Sequence, residues 1–324
     1  MMNNVLILSA GRRVELVIAF REAMDKLNIQ GKIMCTDMVP ELSSACLVAD
    51  EFFTVPRATD SSYVDVLRDI CQENSIKLVI PTIDTDLEKL SYAKDSFNKF
   101  GCHISVPDPK FVAACRDKRK TADLFQSLQI ASPVIYDSNS MAFPCFCKPY
   151  NGSSSIGAFV IQSATDLTNE ILTNKNNMFM ELIGKDYIEV TVDCYFSKDH
   201  ELKCLVPRER IEVRSGEVSK GVTRKGLVYD YLFKRLRKIP GVVGCITVQL
   251  FYNKISGDIK GLEINPRFGG GYPLSYAAGA DYPLYLINEY INHETVGFFD
   301  NWEPNLLMLR YDAKVLSHEY PDIN

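Results

Sequence analysis

Two short stretches either side of residue 256 carry the residue types best suited to chemistry. In 244–252 (Gly-Cys-Ile-Thr-Val-Gln-Leu-Phe-Tyr) strand alternation puts Thr247 and Gln249 on one face. In 259–265 (Ile-Lys-Gly-Leu-Glu-Ile-Asn) it puts Glu263 and Asn265 on one face, with Leu262 and Ile264 on the other. Ser256-Gly257 supplies a turn between them. A hairpin centred near Ser256 sets Gln249 opposite Glu263, with Cβ atoms roughly 4.5–5.5 Å apart. Gln, Glu and Asn oxygens on neighbouring strands are hard-cation chemistry, suited to Mg²⁺ bridging substrate phosphates. Pro266 stiffens the exit, and Arg267 projects beside the same cluster. The plain alternative is the polar outer face of an antiparallel pair, against which stands the poor fit of Glu and Asn to strands.

A second candidate is Lys148-Pro149-Tyr150-Asn151-Gly152-Ser153-Ser154-Ser155-Ile156-Gly157. A small, polar, glycine-bounded loop between apolar strands offers backbone N–H groups and hydroxyls to phosphate oxygens. It is not a Walker A sequence, because Ala158 and Phe159 follow Gly157 where Lys and Ser/Thr are required. It reads as a hairpin lid, with Lys148 as a fixed cation on the preceding strand, or as a plain flexible hairpin. The third candidate, Ser9-Ala10-Gly11-Arg12-Arg13, follows the first strand. A dinucleotide site needs G-x-G-x-x-G there and an acid about 20 residues on. Asp37 is placed to be that acid, but the second glycine is missing, which argues against nicotinamide binding. An anion meeting a helix N-terminus with Arg12 or Arg13 stays open, as do two solvated arginines.

The elements that must position these residues change character along the chain. Strands at 5–8, 32–36, 78–80 and 102–106 alternate with helical spacing in Leu16/Phe20/Ala23/Leu27, Tyr63/Val66/Leu67/Ile70 and Leu87/Leu90/Phe97/Phe100. That rhythm implies a doubly wound parallel sheet. Pro107 and Pro109 mark its end. A helix with Thr121, Leu124, Phe125 and Leu128 leads to strands near 144–149 and 158–161. Long alternating runs follow at 188–196, 202–213, 245–252 and 259–265, the mark of antiparallel sheet. The expected units are 1–107, a first α+β lobe at 108–178 carrying the glycine-rich loop, and a second lobe at 179–324 carrying the hairpin.

Composition narrows the class. The 324 residues have a formal net charge of −5, with 24% charged and 46% hydrophobic residues. This is a globular chain without the basic footprint of a nucleic-acid binder. No apolar run approaches the ~18 residues that span a bilayer, and no signal peptide is read at the start, so the expected location is the cytoplasm. The ten cysteines are scattered without C-x-x-C pairs and read as buried free thiols. The four histidines have no metal-ligand spacing, which makes a His-based zinc site a poor expectation.

Together these residues carry a resemblance. Lys148-Pro149 with its Gly/Ser loop, Glu181-Leu182-Ile183-x-Gly184, Glu189-Val190-Thr191-Val192-Asp193 and Glu263-Ile264-Asn265-Pro266-Arg267 occur in the order and spacing of the ATP-grasp superfamily. Within it the chain is similar to single-copy proteins resembling the carbamoyl phosphate synthase large subunit, over nearly its whole length. The resemblance implies a Rossmann-like parallel-sheet domain followed by a two-lobed α+β ATP-grasp fold. It implies that Lys118 approaches the nucleotide phosphates and that Lys148 is shared between adenine and α-phosphate. Gly152, Ser153, Ser154, Ser155 and Gly157 belong to the lid over the β- and γ-phosphates. Glu181, Leu182 and Ile183 pair by their backbone with the adenine edge, and Glu189 or Asp186 holds the ribose. Gln249, Glu263 and Asn265 match the metal ligands, and Arg267 the arginine at the γ-phosphate and acyl phosphate.

The function this implies is an ATP- and Mg²⁺- (or Mn²⁺-) dependent carboxylate–amine ligase, forming an acyl phosphate and releasing ADP and phosphate. The expected partners are small-molecule carboxylate and amine substrates, with no nucleic acid and no membrane, and a homodimer is allowed. A kinase-like ATP-grasp enzyme and an ATP-binding regulatory module without turnover are the rivals. Arg208, Arg210, Arg214, Lys220 and Arg224 form a basic stretch in which Arg208, Arg210 and Glu212 share a face. Either that face, Arg210 included, meets the transferred phosphate or a carboxylate, or it is a solvated edge strand. Gly269-Gly270-Gly271-Tyr272 allows close backbone approach at the site floor, or is a simple turn. Each motif appears once, so the chain alone is not expected to be a full carbamoyl phosphate synthase, which divides two phosphorylations between tandem copies.

Overall fold

The computed structural model describes residues 2–137, 140–151, 156–214, 216–318 and 320 of the 324. The first hundred residues form a parallel sheet of β1 (Asn4–Ile7), β2 (Ile33–Asp37), β3 (Glu51–Thr54), β4 (Ile76–Ile80) and β5 (His103–Ile104), in the order β3-β2-β1-β4-β5. Its connections carry helices α1 (Val14–Lys26), α2 (Ser44–Val48), α3 (Tyr63–Glu73) and α4 (Asp84–Asn98). Strands β1 and β4 are almost wholly buried, as expected where helices cover both faces of a parallel sheet. The sequence pattern did not show β3, a four-residue edge strand with only alternate residues turned inward.

Two short helices follow, α5 (Pro109–Arg116) and α6 (Lys118–Ser127). Pro109 opens α5, where its missing N–H costs nothing, and Asp117 caps α6 through the Arg119 amide at 2.9 Å. An antiparallel sheet comes next, built from β6 (Ile135–Tyr136), β7 (Cys145–Pro149), β8 (Phe159–Ile161) and β9 (Asn177–Glu181), ordered β6-β9-β7-β8. The helix α7 (Asn169–Thr173) precedes β9. Cys145 and Cys147 point into the small core of this sheet with Ile161 and Phe179, and all ten cysteines are free.

The large antiparallel sheet contains β10 (Tyr187–Phe196), β11 (Leu202–Arg214), β12 (Glu217–Thr223), β13 (Gly244–Asn253), β14 (Ile259–Asn265) and β15 (Leu307–Leu309), ordered β14-β13-β10-β11-β12-β15. Helices α8 (Leu227–Arg235), α9 (Tyr272–Ala277) and α10 (Tyr282–Tyr290) complete this part. One hydrophobic cluster runs from Val5, Val17 and Phe20 across to Val192, Ile246, Leu250 and Leu286, so the large sheet and the parallel sheet share a core. The seam between them is fixed by a Phe20–Phe268 edge-to-face contact at 6.1 Å and the Lys26–Asp281 ion pair at 2.8 Å. Among the described residues no helix is long and apolar enough to cross a membrane.

Candidate active site

The hairpin reaches the expected pairing through a register shift, since next to the turn Leu250 pairs with Gly261 and Tyr252 with Ile259, one residue off. Thr247 pairs with Asn265 and Gln249 with Glu263 across β13 and β14, and the register shifts only beyond Gln249. Glu263 and Asn265, two residues apart on one face, are joined by an Asn265 Nδ2 to Glu263 Oε1 hydrogen bond of 2.9 Å. Gln249, Glu263 and Asn265 all line one cleft of about 830 Å³. Their donor set is one carboxylate and two carboxamides. That set fits a hard cation that completes its shell with water and phosphate oxygens. It does not make an all-protein cage, and no group of three or more His, Cys, Asp or Glu able to hold a metal exists among the described residues.

Across the cleft stand Lys118 and Lys148. Lys118 opens α6, and its amide donates to the Tyr150 carbonyl at 2.9 Å, tying the start of α6 to the end of β7. The Arg119 guanidinium stacks on the Tyr150 ring at 3.8 Å and braces the same junction. Lys148 lies on β7 opposite Met178 of β9. Burial, then the charge of Lys118, push the Lys148 ammonium down to about 8, while Glu263 pulls it back. Burial also lowers Lys118, again offset first by Glu263. Glu263 is the leading counter-charge of both desolvated lysines, an arrangement that favours a polyanion.

The other expected residues fall around this centre. Arg267 lines the cleft and donates from Nε and Nη2 to both oxygens of Asp84, at 3.1 and 2.8 Å. Arg210 lines it too, holding Glu189 by an ion pair and reaching Gln249 Oε1 at 3.5 Å. Of the two acids left open for one role, Glu189 lines the cleft, whereas Asp186 accepts from Asn253 Nδ2 outside it. Pro149, Asn151 and Ile156 line the cleft at the foot of the glycine loop. Gly157 has φ +74°, a turn that favours glycine. Gly152, Ser153, Ser154 and Ser155 lie outside the described residues.

Glu181 ends β9 and is not in the cleft wall; its carboxylate binds Lys260 and accepts from the Val134 amide at 3.1 Å. Leu182 and Ile183 follow it between the two antiparallel sheets, also outside the wall. Nearby, a slot of only about 10 Å³ is lined by Phe125, Met178, Met180 and Leu262 together with Lys118 and Lys148.

The basic stretch does not form one surface. β11 is an interior strand, between β10 and β12, which removes the solvated-edge alternative. Arg208 is 1% exposed and bidentate on Asp193, at 2.8 and 3.0 Å, so it meets no phosphate. A register shift after Arg210 sends Glu212 to Lys220, while Arg214 pairs with Asp312 and Arg224 with Glu209. Of the five basic residues only Arg210 lines the cleft, with Val213 and Gly216 beside it. The glycine run is a close approach rather than a free turn: a Cβ on Gly271 would sit 2.1 Å from Arg208 Nη1, and one on Gly269 3.0 Å from Thr247 Oγ1.

Sequence reasoning missed Asp84, which opens α4 just past the carboxyl end of β4. Its position was the available signal, since ligands of open α/β sheets gather there. The turn after β1 differs from a dinucleotide site, because Asp37 accepts from the Gly11 amide at 3.0 Å and from the Met38 amide at 2.8 Å. Arg12 reaches Glu217, and Arg13 donates to the Thr82 carbonyl at 3.1 Å, so the pair is not simply solvated.

Comparison with known proteins agrees with this architecture. Residues 5–105 match the family model described as PylC-like, N-terminal domain, and residues 174–305 match ATP-grasp in the biosynthetic pathway with Ter operon. No curated protein matches the sequence. Among solved structures, the chain is similar to Rhizobium etli pyruvate carboxylase at 16% identity and TM-score 0.70, over 94% of this chain and 30% of that one. It thus spans under a third of that enzyme's length. It is also similar to the biotin carboxylase domain of Hydrogenobacter thermophilus 2-oxoglutarate carboxylase, solved with MgADP and bicarbonate, at 12% identity and TM-score 0.71, over 95% of this chain and 74% of that one. Bacillus licheniformis L-amino acid ligase matches at 15% identity and TM-score 0.65, over 89% and 74%. These two matched segments, with the fold shared with these structures, support an ATP-grasp assignment for the chain.

Proposed function

We propose that the chain is an ATP- and Mg²⁺-dependent carboxylate–amine ligase, with Mn²⁺ able to replace Mg²⁺. The observation that carries this reading is the single cleft in which Lys118 and Lys148 face the Gln249/Glu263/Asn265 oxygens, with Arg267 and Arg210 at its wall. The similar structures, one solved with MgADP and bicarbonate and one an amino acid ligase, support the same chemistry. Lys118 and Lys148 bind phosphate oxygens. Glu189 is positioned for the ribose hydroxyls. Glu263, Gln249 and Asn265 would hold the metal, which would supply charge neutralisation at the phosphates.

Arg267 then stabilises the transferring γ-phosphoryl group. A carboxylate oxygen attacks the γ-phosphorus and ADP leaves; an amine lone pair attacks the acyl carbon and phosphate leaves with its electrons. The units 1–107, 108–178 and 179–324 divide the work into substrate wall, nucleotide lid and metal lobe. The finer likeness to the carbamoyl phosphate synthase large subunit stops short of that full activity, since the motifs occur once and that enzyme divides two phosphorylations between tandem copies.

The test supplies Mg²⁺–ATP, hydroxylamine and a panel of carboxylic acids. The expected products are ADP, phosphate and the hydroxamate of one acid. AMP and pyrophosphate as stoichiometric products would overturn the reading, and a stable phosphorylated acid insensitive to amines would favour the kinase-like one.

Lys148 gives this reading a pH signature. Its ammonium is held near 8 without ligand and gains a proton partner when phosphate binds. Affinity for Mg²⁺–ADP is therefore full below pH 8 and lost as pH rises through it, by about tenfold between pH 7 and 9 if binding restores an ordinary lysine pKa. Lys148→Arg should flatten that slope in calorimetric titrations, and an equal slope in both proteins would count against Lys148 as the phosphate cation.

A further inference from the structure

Arg267 is already engaged by a carboxylate. Its Nε and Nη2 hold both oxygens of Asp84 at 3.1 and 2.8 Å, a bidentate pair with side-chain exposures of 16% and 28%. Both residues line the cleft, and Asp84 comes from the parallel-sheet part of the chain, past the end of β4. A second guanidinium, Arg13, lies within Coulomb range of both partners and forms no ion pair among the described residues.

The reaction proposed above requires Arg267 to meet a substrate carboxylate and phosphate, so Asp84 must yield it or share it. A simple carboxylate that took Arg267 would cost Asp84 its bidentate partner and leave it only the charge of Arg13 nearby, a cost that falls on binding. A zwitterion avoids that cost. Its carboxylate takes the guanidinium and its ammonium takes Asp84, so every charge ends the exchange paired. The two groups of an α-amino acid hang on one carbon atom, which matches two receptors already in contact. An ammonium held by a carboxylate has no lone pair to offer, so the group on Asp84 is recognised and not consumed. Arg13 offsets Asp84 while the exchange takes place.

We propose that the Asp84–Arg267 pair is the receptor for an α-amino acid, the substrate whose carboxylate is activated. This rests on the ligase reading and goes beyond it, since that reading names only a carboxylate. Asp84 is the specificity-determining residue of the site.

The experiment measures thermal shifts of the full chain loaded with Mg²⁺–ADP. The probes are the proteinogenic amino acids in L and D form, each beside its des-amino acid (propionate for alanine, glutarate for glutamate) and its carboxamide. At least one amino acid should raise Tm by about 2 °C or more, and its des-amino acid and amide by much less. Asp84→Asn should abolish the preference for the amino acid over its des-amino partner, and Asp84→Glu, which keeps the charge, should retain it with weaker binding. Mg²⁺–ADP itself should still stabilise both variants. If Mg²⁺–ADP does not bind the wild-type chain, the ligase reading fails. If it binds and no amino acid shifts Tm, or des-amino acids bind as well, or Asp84→Asn keeps the preference, the amino acid receptor is overturned.

Discussion

Glu263→Gln is expected to lower kcat for ATP turnover by roughly 10³-fold while the chain stays folded. Glu263 is the one carboxylate of the metal donor set, paired across the hairpin with Gln249. It is also the largest charge supporting both Lys118 and Lys148 in their protonated forms. The substitution keeps size and hydrogen bonding and removes only the charge, so its consequences separate cleanly. Dependence on Mg²⁺ should weaken, with the metal concentration needed for half-maximal nucleotide binding rising by about tenfold or more. Metal-free ADP should bind as well or better, because an acid beside the phosphate site has gone. The Lys148 ammonium, deprived of its support, should lose its proton at lower pH still. Calorimetry with ADP, with and without Mg²⁺, reads both effects. An unchanged Mg²⁺ requirement would remove Glu263 from the metal site.

Much of this cleft was legible in the sequence because its parts are local. Counting residues about Ser256 gives the facing of Gln249 and Glu263, but not the register shift between Gln249 and Leu250 that produces it. Lys148 is likewise placed by the strand that precedes the glycine loop, whereas the resemblance left Glu189 and Asp186 as alternatives. What was not legible depends on neighbours distant in the chain. The Asp84–Arg267 contact joins residues 183 positions apart, and nothing near either one announces the other. Alternation put Arg208 and Arg210 on one face correctly but could not show that β12 covers β11. That strand, Glu217–Thr223, hides as a loop in sequence, since Ser219, Lys220 and Gly221 interrupt any apolar rhythm. With β12 present, Arg208 becomes an interior residue and Arg210 the last one of its face to reach the cleft.

That interior pair sets up the largest stability effect. Asp193, with no exposed surface, accepts from Arg208 Nε and Nη2 and from the Ser275 hydroxyl at 2.6 Å. The Thr247 hydroxyl lies 3.4 Å from Asp193 Oδ1 and 3.1 Å from the Arg267 carbonyl, linking the pair to the backbone that carries Arg267. Asp193→Ala would leave the Arg208 guanidinium buried without its counter-charge, a loss of about 3–5 kcal/mol. For a chain of this length that is a fall in Tm of roughly 5–8 °C, somewhat more if only one part of the chain unfolds in the transition. Replacing both partners together, Asp193→Leu with Arg208→Met, should recover most of it, since a matched apolar pair leaves no stranded charge. Gly271→Ala offers an independent route to the same damage, because its Cβ would occupy the space of Arg208 Nη1. It should destabilise the chain and lower kcat together by shifting the segment from Arg267 to Tyr272. Calorimetric melting of the three proteins decides the matter. If Asp193→Ala melts within about 1 °C of wild type, the pair is not the keystone of this floor. If the double variant is as unstable as Asp193→Ala, the loss comes from packing rather than from an unpaired charge.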